Sequence, residues 1–205
     1  MTPNAVIHVV DDDDSLRDAL QRLLTAAGYR VRTYASAGEF LLEPLRDTVS
    51  CLLLDLRMPG PSGLDLQDAL QRQGVELPVI FLSGHGDLAT GVRAMKAGAV
   101  DFLVKPVERE PLLAAIERAL ARSAERCRDR AAASQLRARF DQLTAREREV
   151  FELVVAGRLN KQIADALGTA ERTVKAQRAQ VMAKLGAANA AELGRIAAEL
   201  RARGA

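Results

Sequence analysis

Residues 5–34 read AVIHVVDDDDSLRDALQRLLTAAGYRVRTY. An apolar, β-branched run (5–10) meets four aspartates. Leu16, Ala19, Leu20, Leu23, Leu24 and Ala27 then recur at the i, i+3, i+4 spacing of an amphipathic helix that stops at Gly28, and a second β-branched run (29–34) follows. Strand, helix, strand is one β-α-β unit. The pattern repeats through apolar runs at 51–54, 78–82 and 100–104, with helical stretches near 36–45, 63–73 and 88–98 between them. A fifth helix is expected to open at Pro111, a residue suited to a first helical turn. Strands that alternate with helices predict an α/β fold, a doubly wound five-stranded parallel sheet.

Beyond that sheet the character changes. Residues 111–143 hold no Gly and only the first Pro, which predicts one continuous helix; Leu112, Leu113, Ile116 and Leu120 suit it to pack on the sheet, and after Ala121 it turns into an Arg/Ala/Glu stretch. The remainder reads as short helices at 145–156, 160–167, 171–185 and 189–202, the first three closed by Gly157, Gly168 and Gly186. The expected organisation is a first domain over 1–122, a helical linker over 123–140 and a separate all-α four-helix domain over 141–205.

Charge separates the same parts. The 205 residues carry 29 Lys+Arg against 27 Asp+Glu, net +2, but residues 1–120 hold 12 basic and 17 acidic residues (−5) and the rest sums to +7. A composition of 48% hydrophobic and 27% charged residues excludes wholesale disorder. Uncharged stretches such as 77–86 fall far short of the roughly 18 apolar residues of a membrane helix, and no basic, apolar leader opens the chain, so a cytoplasmic location is expected. Cys51 and Cys127 have no ligand-like spacing and read as reduced thiols.

In a doubly wound sheet, functional groups collect beyond the carboxyl ends of the strands. Asp11 and Asp12 follow the first strand, Asp55 ends the third, Ser83 the fourth and Lys105 the fifth. Asp13, Asp14 and even Asp12 have a plain alternative role in capping the following helix. A buried run of leucines ending in Asp55, however, has no packing reason to stop at a carboxylate facing two others. Three crowded carboxylates repel one another until a hard cation such as Mg²⁺ relieves them. The set fits a carboxylate nucleophile whose acquired phosphoryl group is neutralised by metal and lysine. His85 sits in a Gly-flanked loop without a nucleophile to pair with and reads as a loop residue, while His8 reads as strand packing.

These residues resemble the receiver domains of two-component response regulators. The matching text is Val9-Val10-Asp11-Asp12-Asp13, Asp55-Leu56-Arg57-Met58-Pro59-Gly60, Ser83-Gly84-His85-Gly86-Asp87, Ala97-Gly98-Ala99 and Asp101-Phe102-Leu103-Val104-Lys105-Pro106. The resemblance implies a flavodoxin-like receiver in which Asp55 accepts phosphate from a sensor histidine kinase. It also implies that Asp11, Asp12, Asp55 and the backbone carbonyl of Arg57 arrange Mg²⁺, that Lys105 and Ser83 bind phosphoryl oxygens, and that Phe102 is a switch aromatic. The face around Val92, Met95, Lys96 and Asp101 would then form a homodimer.

Residues 160–185 form a helix-turn-helix pattern. On a helical wheel, Val174, Val181 and Leu185 share one narrow sector, expected to face the core. Opposite them lie Arg172, Lys175, Ala176 and Ala179, cations with small residues that permit close approach to base edges. A solvated basic face is the plainer alternative. The text Leu143-Thr144-Ala145-Arg146-Glu147-Arg148-Glu149-Val150, Gly157, Asn160-Lys161-Gln162-Ile163-Ala164, Leu167-Gly168 and Glu171-Arg172-Thr173-Val174-Lys175 resembles the LuxR/FixJ-type output domain. That resemblance implies base reading by Lys175 and its neighbours, phosphate contacts by Lys161, Thr173 and Arg178, and a dimer contact through the last helix. Thr169 and Ala170 depart from the family's apolar residue and capping Ser, with Thr169 a candidate replacement cap, and Gln177 stands where the family often has His. The expected function is that of a FixJ/NarL-type regulator that binds double-stranded promoter DNA and meets RNA polymerase there, not a metabolic enzyme. The rival expectation is a helical output that binds protein, or regulation without phosphate.

Overall fold

The computed structural model describes residues 5–44, 48–84 and 88–202. They divide into two compact units, Met1–Arg128 and Asp129–Ala205.

The first unit is a five-stranded sheet of β1 (Val6–Val10), β2 (Arg30–Tyr34), β3 (Ser50–Asp55), β4 (Val79–Ser83) and β5 (Asp101–Val104), all parallel in the order β2-β1-β3-β4-β5. The connecting helices are α1 (Asp14–Ala26), α2 (Ala37–Leu41), α3 (Gly63–Arg72), α4 (Leu88–Lys96) and α5 (Arg109–Asp141). A parallel sheet covered on both faces needs strands that are apolar on both sides, and β3 and β4 are buried at every residue. Alternation along the strands sorts the cores. Ile7, Val9, Cys51, Leu53, Ile80 and Leu82 pack with Leu20 and Leu24 of α1 and with Leu112 and Ile116 of α5. Val10, Leu52, Leu54, Val79 and Phe81 pack with Phe40, Leu66 and Leu70 of α2 and α3. Each such buried Leu, Ile or Phe contributes about 1.5–3 kcal/mol relative to an exposed one.

Local chemistry sets the ends. Asp13 caps α1 by accepting from the Ser15 and Leu16 amides, at 2.9 and 3.2 Å. Helix α2 is shorter than the 36–45 expected: Ser36 caps it, and it ends at Leu41, ahead of Pro44, which disfavours helical backbone at the residue before it. Helix α5 opens two residues before Pro111, a position that costs nothing because the first-turn amides lack intrahelical partners anyway. Its buried Ser123 hydroxyl accepts from the amide of Ser50, the first residue of β3, at 3.0 Å.

His8 packs as expected, stacked on Tyr34 and edge-on to Phe40, with Nδ1 3.1 Å from the Tyr34 hydroxyl. Burial, assisted by the charge of Arg32, lowers its pKa from 6.5 to about 4.

The second unit is helical, built from the end of α5 with α6 (Ala145–Val155), α7 (Asn160–Leu167), α8 (Glu171–Leu185) and α9 (Ala190–Ala202). Val150, Phe151, Ile163, Val174, Val181, Leu185, Leu193 and Ile196 form its core. A reciprocal box between Thr144 and Glu147 caps α6, and Gly168 closes α7 in the left-handed conformation at φ 61°.

Candidate functional site

The register of β1, β3 and β4 brings their carboxyl ends level: Val10 lies opposite Leu54, and Asp55 opposite Leu82. Asp11 and Asp12 leave β1 where the Asp11 amide donates to the Tyr34 carbonyl at 3.2 Å, and the Lys105 amide donates to the Ser83 carbonyl at 2.7 Å. One carboxylate oxygen from each of Asp11, Asp12 and Asp55 falls within 4.8 Å of the others. Asp11 and Asp55 are buried and Asp12 is exposed, so the cluster opens to solvent on one side.

Lys105 joins the two buried acids, its Nζ 2.7 Å from Asp11 Oδ2 and 3.1 Å from Asp55 Oδ1. Burial pushes the Asp55 pKa up; the Lys105 hydrogen bond opposes that, the Asp11 charge adds to it, and the Arg57 backbone opposes it. Burial alone would depress the Lys105 ammonium, but the hydrogen bonds and attraction of Asp11 and Asp55 outweigh it and hold its pKa above the ordinary value. Three carboxylates answered by one internal cation retain capacity for a further positive charge. Ser83 is buried at the end of β4 beside this group. Arg57 is exposed in the loop after β3. His85 lies outside the described residues.

Two supports were missed in the sequence. Gly63, the first residue of α3, runs against β3: a Cβ there would stand 2.3 Å from the Asp55 carbonyl oxygen and 3.1 Å from Leu54 and Phe81. Only glycine permits that approach; the Ser-Gly-Leu-Asp start of a helix carried the signal. Arg17, on α1, donates through Nη1 to the Asp11 carbonyl at 2.6 Å and pairs through Nη2 with Asp14.

On the edge of the sheet, Phe102 is half-buried, close against Gly91. With Val92, Met95, Lys96, Asp101 and Val104 it lines an open cavity of about 680 Å³. Val92, Met95 and Val104 are exposed, and Asp101 pairs with Arg118 of α5.

In the second unit the wheel holds: Val174, Val181 and Leu185 are buried, while Arg172, Lys175, Ala176 and Ala179 are exposed on the opposite side of α8. Lys161 is exposed on α7, and Thr173 and Arg178 are half-buried. Arg178 is tethered, its Nη1 3.1 Å from Asn160 Oδ1. Among the described residues, Lys161, Arg172 and Lys175 make no ion pair. Thr169 does not replace the missing cap: Ala170 is the N-cap of α8 and no side chain accepts from its first turn. Pattern reading also missed the Lys184 ammonium, 2.6 Å from Glu147, which ties the last turn of α8 to the first of α6 and holds the Glu147 carboxyl below its usual range, with help from Thr144. Gln177 is half-buried with Oε1 lacking a partner, and nothing in the structure explains the choice of Gln. No helix among the described residues is long and apolar enough to cross a membrane.

Comparison with known proteins adds the lineage. Residues 7–117 match the response regulator receiver domain, and residues 141–197 match the bacterial regulatory proteins of the luxR family. Nodulation protein W of Bradyrhizobium diazoefficiens is 44% identical over 196 residues, covering 96% of this chain and 86% of that protein. The transcriptional regulatory protein FixJ of Azorhizobium caulinodans is 43% identical, covering 96% and 93%. Among solved structures, the response regulator StyR superposes with a TM-score of 0.83 at 44% identity, over 96% of this chain and 99% of that one. Full-length FixJ from B. japonicum gives 0.58 at 39%, over 98% and 99%.

Proposed function

Because the chain belongs to the two-component response regulators that join a receiver domain to a LuxR-family DNA-binding domain, we propose that Asp55 accepts a phosphoryl group from a sensor histidine kinase and that the modified protein dimerises on promoter DNA. The observation that carries this reading is the Lys105 ammonium shared between Asp11 and Asp55 at 2.7 and 3.1 Å, beside an open third carboxylate. Three hard oxygen donors with one solvent-facing side suit Mg²⁺, which keeps several waters. Asp11, Asp12, Asp55 and the Arg57 carbonyl would hold it, and when bound it supplies positive charge to the phosphoryl oxygens.

The protein's own groups do the rest. Burial makes the Asp55 carboxylate more basic, and Lys105 favours its ionised form. That carboxylate attacks phosphorus, the P–N bond of the donor phosphohistidine breaks, and the electron pair leaves with the imidazole. Lys105 and the Ser83 hydroxyl bind the new oxygens, which add up to about two negative charges. Drawing Ser83 toward them frees space for Phe102 to turn inward, reshaping the face of Val92, Met95, Lys96 and Asp101 for a second copy. Turnover is confined to this self-modification and slow self-dephosphorylation.

The output then follows from α8. Arg172, Lys175, Ala176 and Ala179 meet base edges in the major groove, while Lys161, Thr173 and Arg178 meet phosphates. A dimer doubles those contacts, favours an inverted repeat and delivers the regulator to RNA polymerase in the cytoplasm. The proposed division is receiver 1–122, helical connector 123–140 and output 141–205, with the first turns of the connector packed as part of the unit that ends at Arg128.

Mass spectrometry after incubation with phosphoramidate and Mg²⁺ tests the core of the reading. Wild type gains one phosphoryl group and Asp55→Asn gains none; equal labelling would place the acceptor elsewhere.

A further inference from the structure

The loop that supplies two of the three clustered carboxylates holds them by different means. Asp11 is buried, with Oδ2 on Lys105 and Oδ1 accepting from the Asp13 amide at 3.0 Å. Asp12 is exposed, and its carboxylate makes no hydrogen bond or ion pair among the described residues. The direction of its Cα–Cβ bond is set by the two peptides that flank its Cα. The Asp13 amide fixes the following one, through the Asp11 carboxylate that a cation would recruit. The preceding one is fixed by Arg17, whose Nη1 donates to the Asp11 carbonyl at 2.6 Å. The guanidinium is itself held, since Nη2 pairs with Asp14 and the side chain is only 13% exposed.

We propose that Arg17 is a positioning residue for the cation site: its fork spans the β1–α1 turn and sets the peptide that aims Asp12. The inference rests on the metal-binding reading of Asp11, Asp12 and Asp55. Mg²⁺ demands near-ideal octahedral ligands at short distance, so small rotations of one carboxylate are expensive. Groups that orient ligands from behind typically change metal affinity by about 10–100-fold when removed. The planar two-pronged geometry is what a lysine cannot reproduce.

Charge and geometry predict opposite signs here, which makes the test decisive. A guanidinium near a cation site repels the cation, so deleting it would tighten Mg²⁺ binding if Arg17 acted as a charge alone. If it acts by positioning, deleting it weakens binding. Isothermal titration of the full chain with Mg²⁺ should give a dissociation constant about tenfold higher for Arg17→Gln. Arg17→Lys, able to reach the Asp11 carbonyl or Asp14 but not both, should lie between Arg17→Gln and wild type. Thermal melts without metal establish that the variants are folded; if Arg17→Gln is not, Arg17→Lys against wild type decides. Binding as tight as wild type, or tighter, in the folded variant overturns the proposal. Failure of the underlying reading looks different: wild type takes up no Mg²⁺, or Asp12→Asn binds it unchanged, and the inference about Arg17 then falls with it.

Discussion

The acidic pocket of the receiver and the basic face of α8 solve opposite problems with charge. In the pocket every buried ion is already answered: Lys105 serves Asp11 and Asp55, and the Asp11 carboxylate also takes the Asp13 amide. On the outward face of α8 two cations are left open, Arg172 and Lys175 being exposed and without an ion pair among the described residues, whereas Arg178 and Lys184 of the same helix are held by Asn160 and Glu147. Under the proposed function, the difference separates a site that holds reacting groups within tenths of an ångström from one that keeps its charge ready for a long, regular polyanion. The first is built by burial and hydrogen bonds, the second by withholding partners.

Salt should expose that contrast most strongly. DNA binding by the phosphorylated dimer is expected to weaken about a thousandfold between 50 and 200 mM salt, the range typical of six to ten phosphate contacts, while labelling of Asp55 changes little. Fluorescence anisotropy on an operator fragment measures the first and mass spectrometry the second. A shallow slope would favour a protein-binding output. Lys175→Ala should narrow the preference for the operator over random DNA by about 1–3 kcal/mol per lost base contact.

Proton concentration should act on the receiver through His8, while the output unit has its own acid-sensitive group in Glu147, held below its usual range by Lys184. The pKa of His8 is lowered from 6.5 to about 4, so its contribution to stability is complete above pH 6.5 and is lost as pH falls toward 4, where it levels off. At 1.36 kcal/mol per unit the loss is about 3 kcal/mol. Urea unfolding between pH 7.5 and 4 should show it in wild type and not in His8→Gln. An equal pH dependence in both would mean that His8 does not stay neutral in the fold.

Two substitutions sharpen the comparison on a smaller scale. Gly63→Ala forces a Cβ onto the Asp55 carbonyl and should cost about 1–3 kcal/mol, with slower phosphoryl uptake. Helix α8, the proposed reading helix, has slack instead: Ala170→Ser supplies the missing N-cap hydroxyl and should add about 1 kcal/mol to the stability of the output unit in chemical unfolding.

What the sequence disclosed, and what it withheld, follows from the range of the interactions involved. The strands around Leu52–Leu54 and Val79–Leu82, the buried face of α8 and the gathering of Asp11, Asp55, Ser83 and Lys105 are legible because periodicity and strand ends are local signals that a parallel sheet then aligns. The close approach of Gly63 to Asp55, the Lys184–Glu147 pair and the Arg17 brace were not, since each depends on which atoms tertiary packing brings face to face. The shortness of α2 escaped for a different reason: helical propensity continued past Leu41, and only a cap at Ser36 and the approach to Pro44 limited it.

The hydrogen bond from the Ser50 amide to the Ser123 hydroxyl carries a practical corollary for anyone cutting this chain into pieces. A truncated fragment ending at residue 122 would strand a buried amide at the first residue of a central strand, a defect worth about 1–3 kcal/mol. Fragments and chimaeras that swap the output should therefore be joined beyond Arg128 and ahead of Leu136, where the donor strand keeps its acceptor and the output keeps the core contacts of Leu136 and Phe140.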